Sequence, residues 1–181
     1  MAKEEHQADP SHLACREIQA PLVSALIQGF ATEFGEDDAL EIAQEVIRED
    51  AIQSGRSLAE RFSGNSLETL LKIVQEVWAE DGTMEVSNIN ISDRTLDFDV
   101  TSCRYAEMYK RLGIQGLGCL LSCSRDSPFV DGFNPEIELV RTKTIMEGAD
   151  YCDFRYRKRG HNPRAMKRTG TGKVPEQEYP G

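Results

Sequence analysis

From Leu13 to Phe34 the apolar side chains Ile18, Leu22, Leu26 and Phe30 recur every four residues, and Val23 and Ile27 widen the same stripe. That spacing predicts an amphipathic helix, with Gly35 as its stop. Asp37 or Asp38 is placed to cap a second helix carrying Leu40, Ile42, Ala43, Val46 and Ile47 inward, continuing or breaking near Gly55 and ending around Phe62-Ser-Gly64. Ser66 is placed to cap a third, with Leu67, Leu70, Leu71, Val74, Val77 and Trp78 inward and Asp81-Gly82 at its end.

At Thr83 the period changes. Met84, Val86, Ile89 and Ile91 roughly alternate and Leu96, Phe98 and Val100 alternate cleanly, with Ser92-Asp-Arg-Thr95 between them, which predicts a β-hairpin. Two short helices, about 103–112 and 115–123, are separated by Gly113. Ser124–Pro135 reads as a loop because Pro128, Gly132 and Asn134-Pro135 are turn signals. Strands resume over Ile137–Met146 and Tyr151–Arg157, with Glu147-Gly-Ala-Asp150 as their turn. Helices grouped before antiparallel strands imply an α+β domain: N-terminal helices packed on an antiparallel sheet of two β-hairpins, with two short helices between the hairpins. The expected boundaries are a mobile leader over 1–12, a single domain over 13–157, and a basic, poorly packed tail over 158–181.

Composition narrows the function classes. The 181 residues are 39% hydrophobic and 29% charged, enough apolar content for a packed core. No run approaches the roughly 20 apolar residues of a membrane helix, and no apolar stretch follows Lys3, so a cytoplasmic location and no membrane partner are expected. The net charge of -10 is unevenly spread: residues 1–100 hold 7 basic and 21 acidic side chains, and residues 101–181 hold 14 basic and 10 acidic. The basic excess centres on Arg155-Tyr-Arg-Lys-Arg159 and the tail. Overall acidity and the lack of an accompanying aromatic series favour a solvated tail over a nucleic-acid site.

The five cysteines, Cys15, Cys103, Cys119, Cys123 and Cys152, form an odd set with no C-x-x-C pair, so free thiols are expected. The three histidines, His6, His12 and His161, fall in the leader and tail, which argues against a histidine triad or a histidine-rich metal site. Thiols and carboxylates concentrate in the second half. Cys103 follows a strand and starts a helix, where free N–H groups and the helix dipole favour a thiolate, and Arg104 adds positive charge. It is a candidate nucleophile or else a buried structural thiol. By alternation Cys152, Phe154 and Tyr156 share one strand face, so Cys152 is a core thiol or lines a pocket, while Asp153 and Arg155 share the other. Cys119 and Cys123, one helical turn apart beside Leu120 and Leu121, read as core packing.

The segments Asp99-Val-Thr-Ser-Cys-Arg-Tyr-Ala-Glu-Met-Tyr109, Leu120-Leu-Ser-Cys-Ser-Arg-Asp126, Gly132-Phe-Asn-Pro135 and Arg141-Thr-Lys-Thr-Ile-Met-Glu-Gly-Ala-Asp-Tyr-Cys-Asp-Phe-Arg155 resemble the L-2-amino-thiazoline-4-carboxylic acid hydrolase family, over roughly residues 15–157. Gly148-x-x-x-Cys152-x-Phe154 is also similar to the close of the 4-vinyl reductase small-molecule-binding domain. The first resemblance implies a reaction of cysteine biosynthesis: water opens a cyclic isothiourea carboxylate to N-carbamoyl-L-cysteine. Such a reaction requires a nucleophile or delivered water at the ring carbon, an anion beside the amidine nitrogens and a cation for the ring carboxylate. Cys103 or Cys152 fits the first role. Asp126, Glu147 or Asp153 fits the second, and Arg141 or Arg155 the third, with Tyr105, Asn134 and Thr144 as polar contacts. Arg141, alternating with Ile137, Leu139 and Ile145, is the favoured clamp, with a structural ion pair to Asp126 or Glu147 as the other reading.

No cofactor is expected on the cysteine-and-carboxylate reading. Its competitor is a zinc site on Cys103, Cys152 and Asp126. The competing function is a small-molecule- or metal-binding sensor or carrier, for which the second resemblance speaks. A small-molecule partner is common to these readings, nucleic acid is not expected, and homo-oligomerisation is left open.

Overall fold

A computed structural model describes residues 10–160, and the remainder of the expected leader and tail, 1–9 and 161–181, lies outside them. Helix α1 spans His12–Phe34, α2 Glu36–Arg61 and α3 Leu67–Ile73. Strands β1 (Met84–Ile91) and β2 (Thr95–Cys103) form the first hairpin. Three short helices follow, α4 (Arg104–Arg111), α5 (Gln115–Leu121) and α6 (Asp126–Phe133), then β3 (Ile137–Val140) and β4 (Cys152–Lys158). The four strands form one antiparallel sheet in the order β1-β2-β4-β3. The fold is α+β, as the element pattern implies.

Alternation sets the two faces of the sheet. Leu96, Phe98 and Val100 of β2 and Cys152, Phe154 and Tyr156 of β4 are buried together. Phe98 and Phe154 are register partners and stack with ring centroids 5.0 Å apart. Leu70 and Ile73 of α3, Val74 just after it, and Phe129, Val130 and Phe133 of α6 belong to the same apolar cluster. The opposite face carries cross-strand ion pairs, Asp99 with Arg155 at 2.7 Å and Asp97 with Arg157. The uneven spacing from Val86 to Ile89 in β1 has its cause in register shifts between Glu85 and Val86 and between Ser87 and Asn90, with Asn88 at φ 53°.

Four features depart from the sequence reading. The leader does not run to residue 12: Ser11 caps α1 by accepting from the Ala14 N–H at 3.2 Å. The α1 stripe faces outward, with Ile18 75% and Leu22 66% exposed, and Ile42 and Val46 of α2 are exposed too. The helices meet through Ala20 and the Ile27 edge of that stripe on α1, and through Ala43 and Ile47 of the expected set on α2. Periodicity identifies an apolar face but not which side of it a neighbour covers.

The third and fourth departures shape the site. Residues 126–133 form α6 rather than a loop. Pro128 falls in its first turn, where the missing N–H is not needed. Gly132 is a packing residue: an added Cβ there would overlap the Ile52 carbonyl oxygen, and one on Gly55 the Phe129 carbonyl oxygen, so α2 and α6 cross with backbones in contact. Lastly, β3 stops at Val140, and 141–151 leave the sheet instead of making a tight turn. The Asp153 carboxylate holds this excursion, accepting from Thr142 N at 2.9 Å, Thr142 Oγ1 at 2.7 Å and Lys143 N at 2.9 Å. Thr144 caps the next turn and donates to Glu147 Oε2 at 2.7 Å, and Gly148 takes φ 96°.

Two outcomes follow from the packing. Gly132→Ala is expected to destabilise the domain by about 1–3 kcal/mol or more despite alanine's higher helix propensity, because the helices must separate. Chemical denaturation measures it, and an unchanged midpoint would contradict the backbone contact. Leu22→Ser with Leu26→Ser is expected to cost less than about 1 kcal/mol, whereas Ile47→Ala should cost roughly 2–5 kcal/mol.

Candidate active site

A cavity of about 110 Å³ lies between the sheet, α2 and the segment carrying α4–α6. Its apolar wall includes Trp78, Val100, Phe129 and Phe154. Trp78 ends a π-helical turn, Val74–Trp78, that continues α3, and it meets Phe129 edge-on with centroids 4.8 Å apart. Three thiols line the cavity: Cys103 at the junction of β2 and α4, Cys123 in the turn before α6, and Cys152 at the start of β4. The sheet alternation that buries Phe154 brings Cys152 to the same face.

Asp126, the first residue of α6, is ion-paired with Arg141, the first residue beyond β3. Arg141 also donates to the Cys123 carbonyl oxygen at 3.0 Å and lies 5.1 Å from the Phe154 ring centroid. Burial pushes the Asp126 carboxyl up, against the opposing pull of the Arg141 guanidinium. Removing one partner of such a pair leaves the other charge uncompensated. Nearby, the Tyr156 hydroxyl is fully buried without a hydrogen-bond partner among the described residues.

Burial also raises all three thiols, which favours their neutral form. Local backbone opposes this at two of them. The Tyr105 and Ala106 N–H groups at the start of α4 pull Cys103 down. The Ile145 N–H donates to Cys152 Sγ at 3.2 Å. At Cys123 burial and the nearby Asp126 carboxylate both push the thiol up. Cys119 does not line the cavity.

The remaining residues singled out from sequence separate into two groups. Tyr105 lines the cavity and its hydroxyl is 2.7 Å from His12 Nδ1. The others do not line it. Asp153 anchors 142–143, and those hydrogen bonds outweigh burial to hold its carboxyl low. Arg155 is bound to Asp99 and to the Phe98 carbonyl oxygen on the opposite sheet face. Thr144 and Glu147 satisfy each other. Asn134 donates to the Asn65 carbonyl oxygen at 2.9 Å and accepts from Glu136 N, closing the end of α6. Among the described residues no group of three or more His, Cys, Asp or Glu side chains has the arrangement of a metal site.

Three cavity residues escape the sequence reading: His12, Arg16 and Arg125. The sequence signals are slight: His12 and Arg16, four apart, share a helix face, and Arg125 sits within the motif segment Leu120–Asp126. Burial, with Arg16 and Arg125 nearby, lowers His12 to about 4.

An α+β domain that holds a thiol-lined cavity floored by a partly buried carboxylate–guanidinium pair has the form of a small-molecule site. The profile of the L-2-amino-thiazoline-4-carboxylic acid hydrolase family matches residues 15–156, and the chain belongs to that family. No curated protein matches the chain significantly. Solved structures similar to it include the phenol-responsive sensory domain of the transcription activator PoxR with phenol, at 12% identity and TM-score 0.48, covering 81% of this chain and 78% of that one. Another is a trafficking protein particle complex subunit 3 from Naegleria fowleri covalently bound to palmitic acid, at 12% identity and TM-score 0.49, covering 80% and 95%. Among the described residues no helix is long and apolar enough to cross a membrane.

The histidine gives a pH prediction. Its folded value of about 4 lies below the ordinary 6.5, so the unfolded chain binds the extra proton between those values. His12 should therefore make stability rise with pH across that window, by roughly 1–3 kcal/mol in all. Denaturation at a series of pH values checks it, and His12→Gln should flatten that part of the profile.

Proposed function

We propose that the chain is a hydrolase opening a small cyclic amidine or isothiourea carboxylate, such as L-2-amino-thiazoline-4-carboxylate, to N-carbamoyl-L-cysteine. The observation that carries this reading is the convergence of Cys103, Cys123 and Cys152 with the Asp126–Arg141 pair on one largely apolar cavity. Cys103 and Cys152 are the candidate nucleophiles, because each has backbone N–H groups favouring its thiolate.

A thiol kept neutral by burial is suited to a basic substrate. Its proton passes to the amidine nitrogen, which leaves a thiolate beside an amidinium without an external base. The cysteine sulfur then bonds to the ring carbon between the two nitrogens. The ring carbon–sulfur bond breaks and the ring sulfur departs with the electron pair, taking up a proton as a free thiol. An S-linked isothiourea remains on the cysteine. Water adds to its carbon, the enzyme sulfur leaves and is reprotonated, and the product carries a urea carbonyl, one water having been consumed. Asp126 is the proton relay of this scheme, since a carboxyl raised by burial is better matched to neutral pH than an ordinary one.

A second reading, a ligand-holding sensor or carrier, draws on the same apolar lining and on the neutral resting state of the thiols. One assay separates the two. Purified protein is incubated with an excess of L-2-amino-thiazoline-4-carboxylate while free thiol is followed with a colorimetric reagent. Continuous thiol release is expected from the hydrolase, whereas stabilisation without release identifies a binding module. Of Cys103→Ala and Cys152→Ala, at least one is expected to lose on the order of a thousandfold or more in kcat/KM while remaining folded. Near-wild-type rates in both would reject covalent thiol catalysis.

A further inference from the structure

Two cavity arginines have no part in the scheme above. Arg16 lies on α1 one turn after His12, and Arg125 lies in the turn that leads into α6. Both line the thiol cavity and also a second cavity of about 330 Å³ toward α1 and α2, so they stand between the two.

Their charges are not balanced locally. Arg125 is 11% exposed and pairs with Asp50 at 2.5 Å, but Asp50 is 63% exposed and faces water. Arg16 is half-buried, has no salt-bridge partner among the described residues, and reaches only Gln19 Oε1, at 3.5 Å. Among the described residues, two guanidiniums thus share one solvated carboxylate. Burial and the nearby Arg125 both disfavour the charged form of Arg16, although its intrinsic basicity keeps it charged. His12 adds no charge near neutral pH, and its ring is 2.7 Å from the Tyr105 hydroxyl, a neutral neighbour. A half-buried guanidinium without a counter-ion is costly, and an arriving anion would remove the cost. The cavity itself is walled by aromatic and thiol groups and does not supply that anion, because Asp126 is committed to Arg141.

We propose that Arg16 and Arg125 form an anion subsite that takes the carboxylate of a small ligand whose planar body lies in the thiol cavity. Only the identity of that ligand rests on the hydrolase reading. The guanidinium fork suits a carboxylate, and Arg16 has donors free to grip both oxygens. The ring carbon of a bound thiazoline then lies toward Cys103 and Cys152 while its carboxylate stays at the α1 side. This subsite replaces Arg141 as the cation for the substrate carboxylate and leaves Arg141 to hold Asp126 in place.

The test compares acid and amide forms of two ligands by calorimetry: L-2-amino-thiazoline-4-carboxylate against its carboxamide, and benzoate against benzamide. The second pair needs no hydrolysis. Wild type should prefer the acid by about tenfold or more in at least one pair, Arg16→Gln should abolish the preference, and Arg16→Lys should keep part of it. Arg48→Gln, at an exposed arginine paired with Glu49, is the charge-matched control and should retain the full preference. Melting curves verify that each variant is folded. No acid preference in wild type for either pair, or a preference that survives Arg16→Gln, overturns the subsite. Thiol release by wild type is read separately, so the loss of the hydrolase reading and the loss of the subsite are distinguishable results.

Discussion

Where α2 crosses α6, Gly55 and Gly132 leave no side chain between the helices, and the backbone of each meets the carbonyl oxygens of the other. This close approach fixes α6 against the longest helix of the domain. From it follow the depth of Phe129 and Phe133 in the sheet core, the direction in which the α6 N-terminus points, and the placement of Arg125 and Asp126 just before and at that terminus. A larger residue at either glycine would lift α6 from α2, and the cavity wall would move with it. The same contact explains why residues with turn-like composition form a helix: close packing against α2 repays the poor helix propensity of Gly132.

The cavity combines an apolar enclosure with a few polar groups, and each polar group shows the cost of its position. Asp126 is pushed up by burial and kept paired by Arg141, and the three thiols are raised. Arg16 is pushed down. Charge in such surroundings is accommodated only with a partner. A site that keeps its thiols neutral and, among the described residues, one guanidinium without a salt-bridge partner is suited to a ligand that brings both a basic group and an anion. The opposite sheet face shows what the same residue types do when they have partners and water: Asp97, Asp99, Arg155 and Arg157 neutralise one another across the strands.

Much of this was legible in the chain. The alternation of Leu96, Phe98 and Val100 and of Cys152, Phe154 and Tyr156 determined two strands, their buried faces and the inward placement of Cys152. The break at Thr83 marked the change from helices to sheet. The motif segments around Cys103, Cys123 and Cys152 carried the family resemblance, and Arg141 fell on an inward-facing position. These features are local: side-chain direction follows from backbone period, and period is visible in sequence. What tertiary structure alone decided is which of several compatible surfaces finds a neighbour. The α1 stripe from Ile18 to Phe30 is amphipathic by period, yet only its Ile27 edge is buried, and the helix docks there beside the small residues Ala20 and Ser24, which face α2 residues such as Ala43. Arg155 and Asp153 belong to the motif but face away from the cavity, since pairing with β2 and the excursion after β3 claim them. His12 and Arg16 join Cys103 and Cys123 across about ninety residues or more of chain only through the packing of α1 beside α4 and the turn before α6. No local pattern encodes a contact of that separation, because its free energy arises only once the intervening elements have packed.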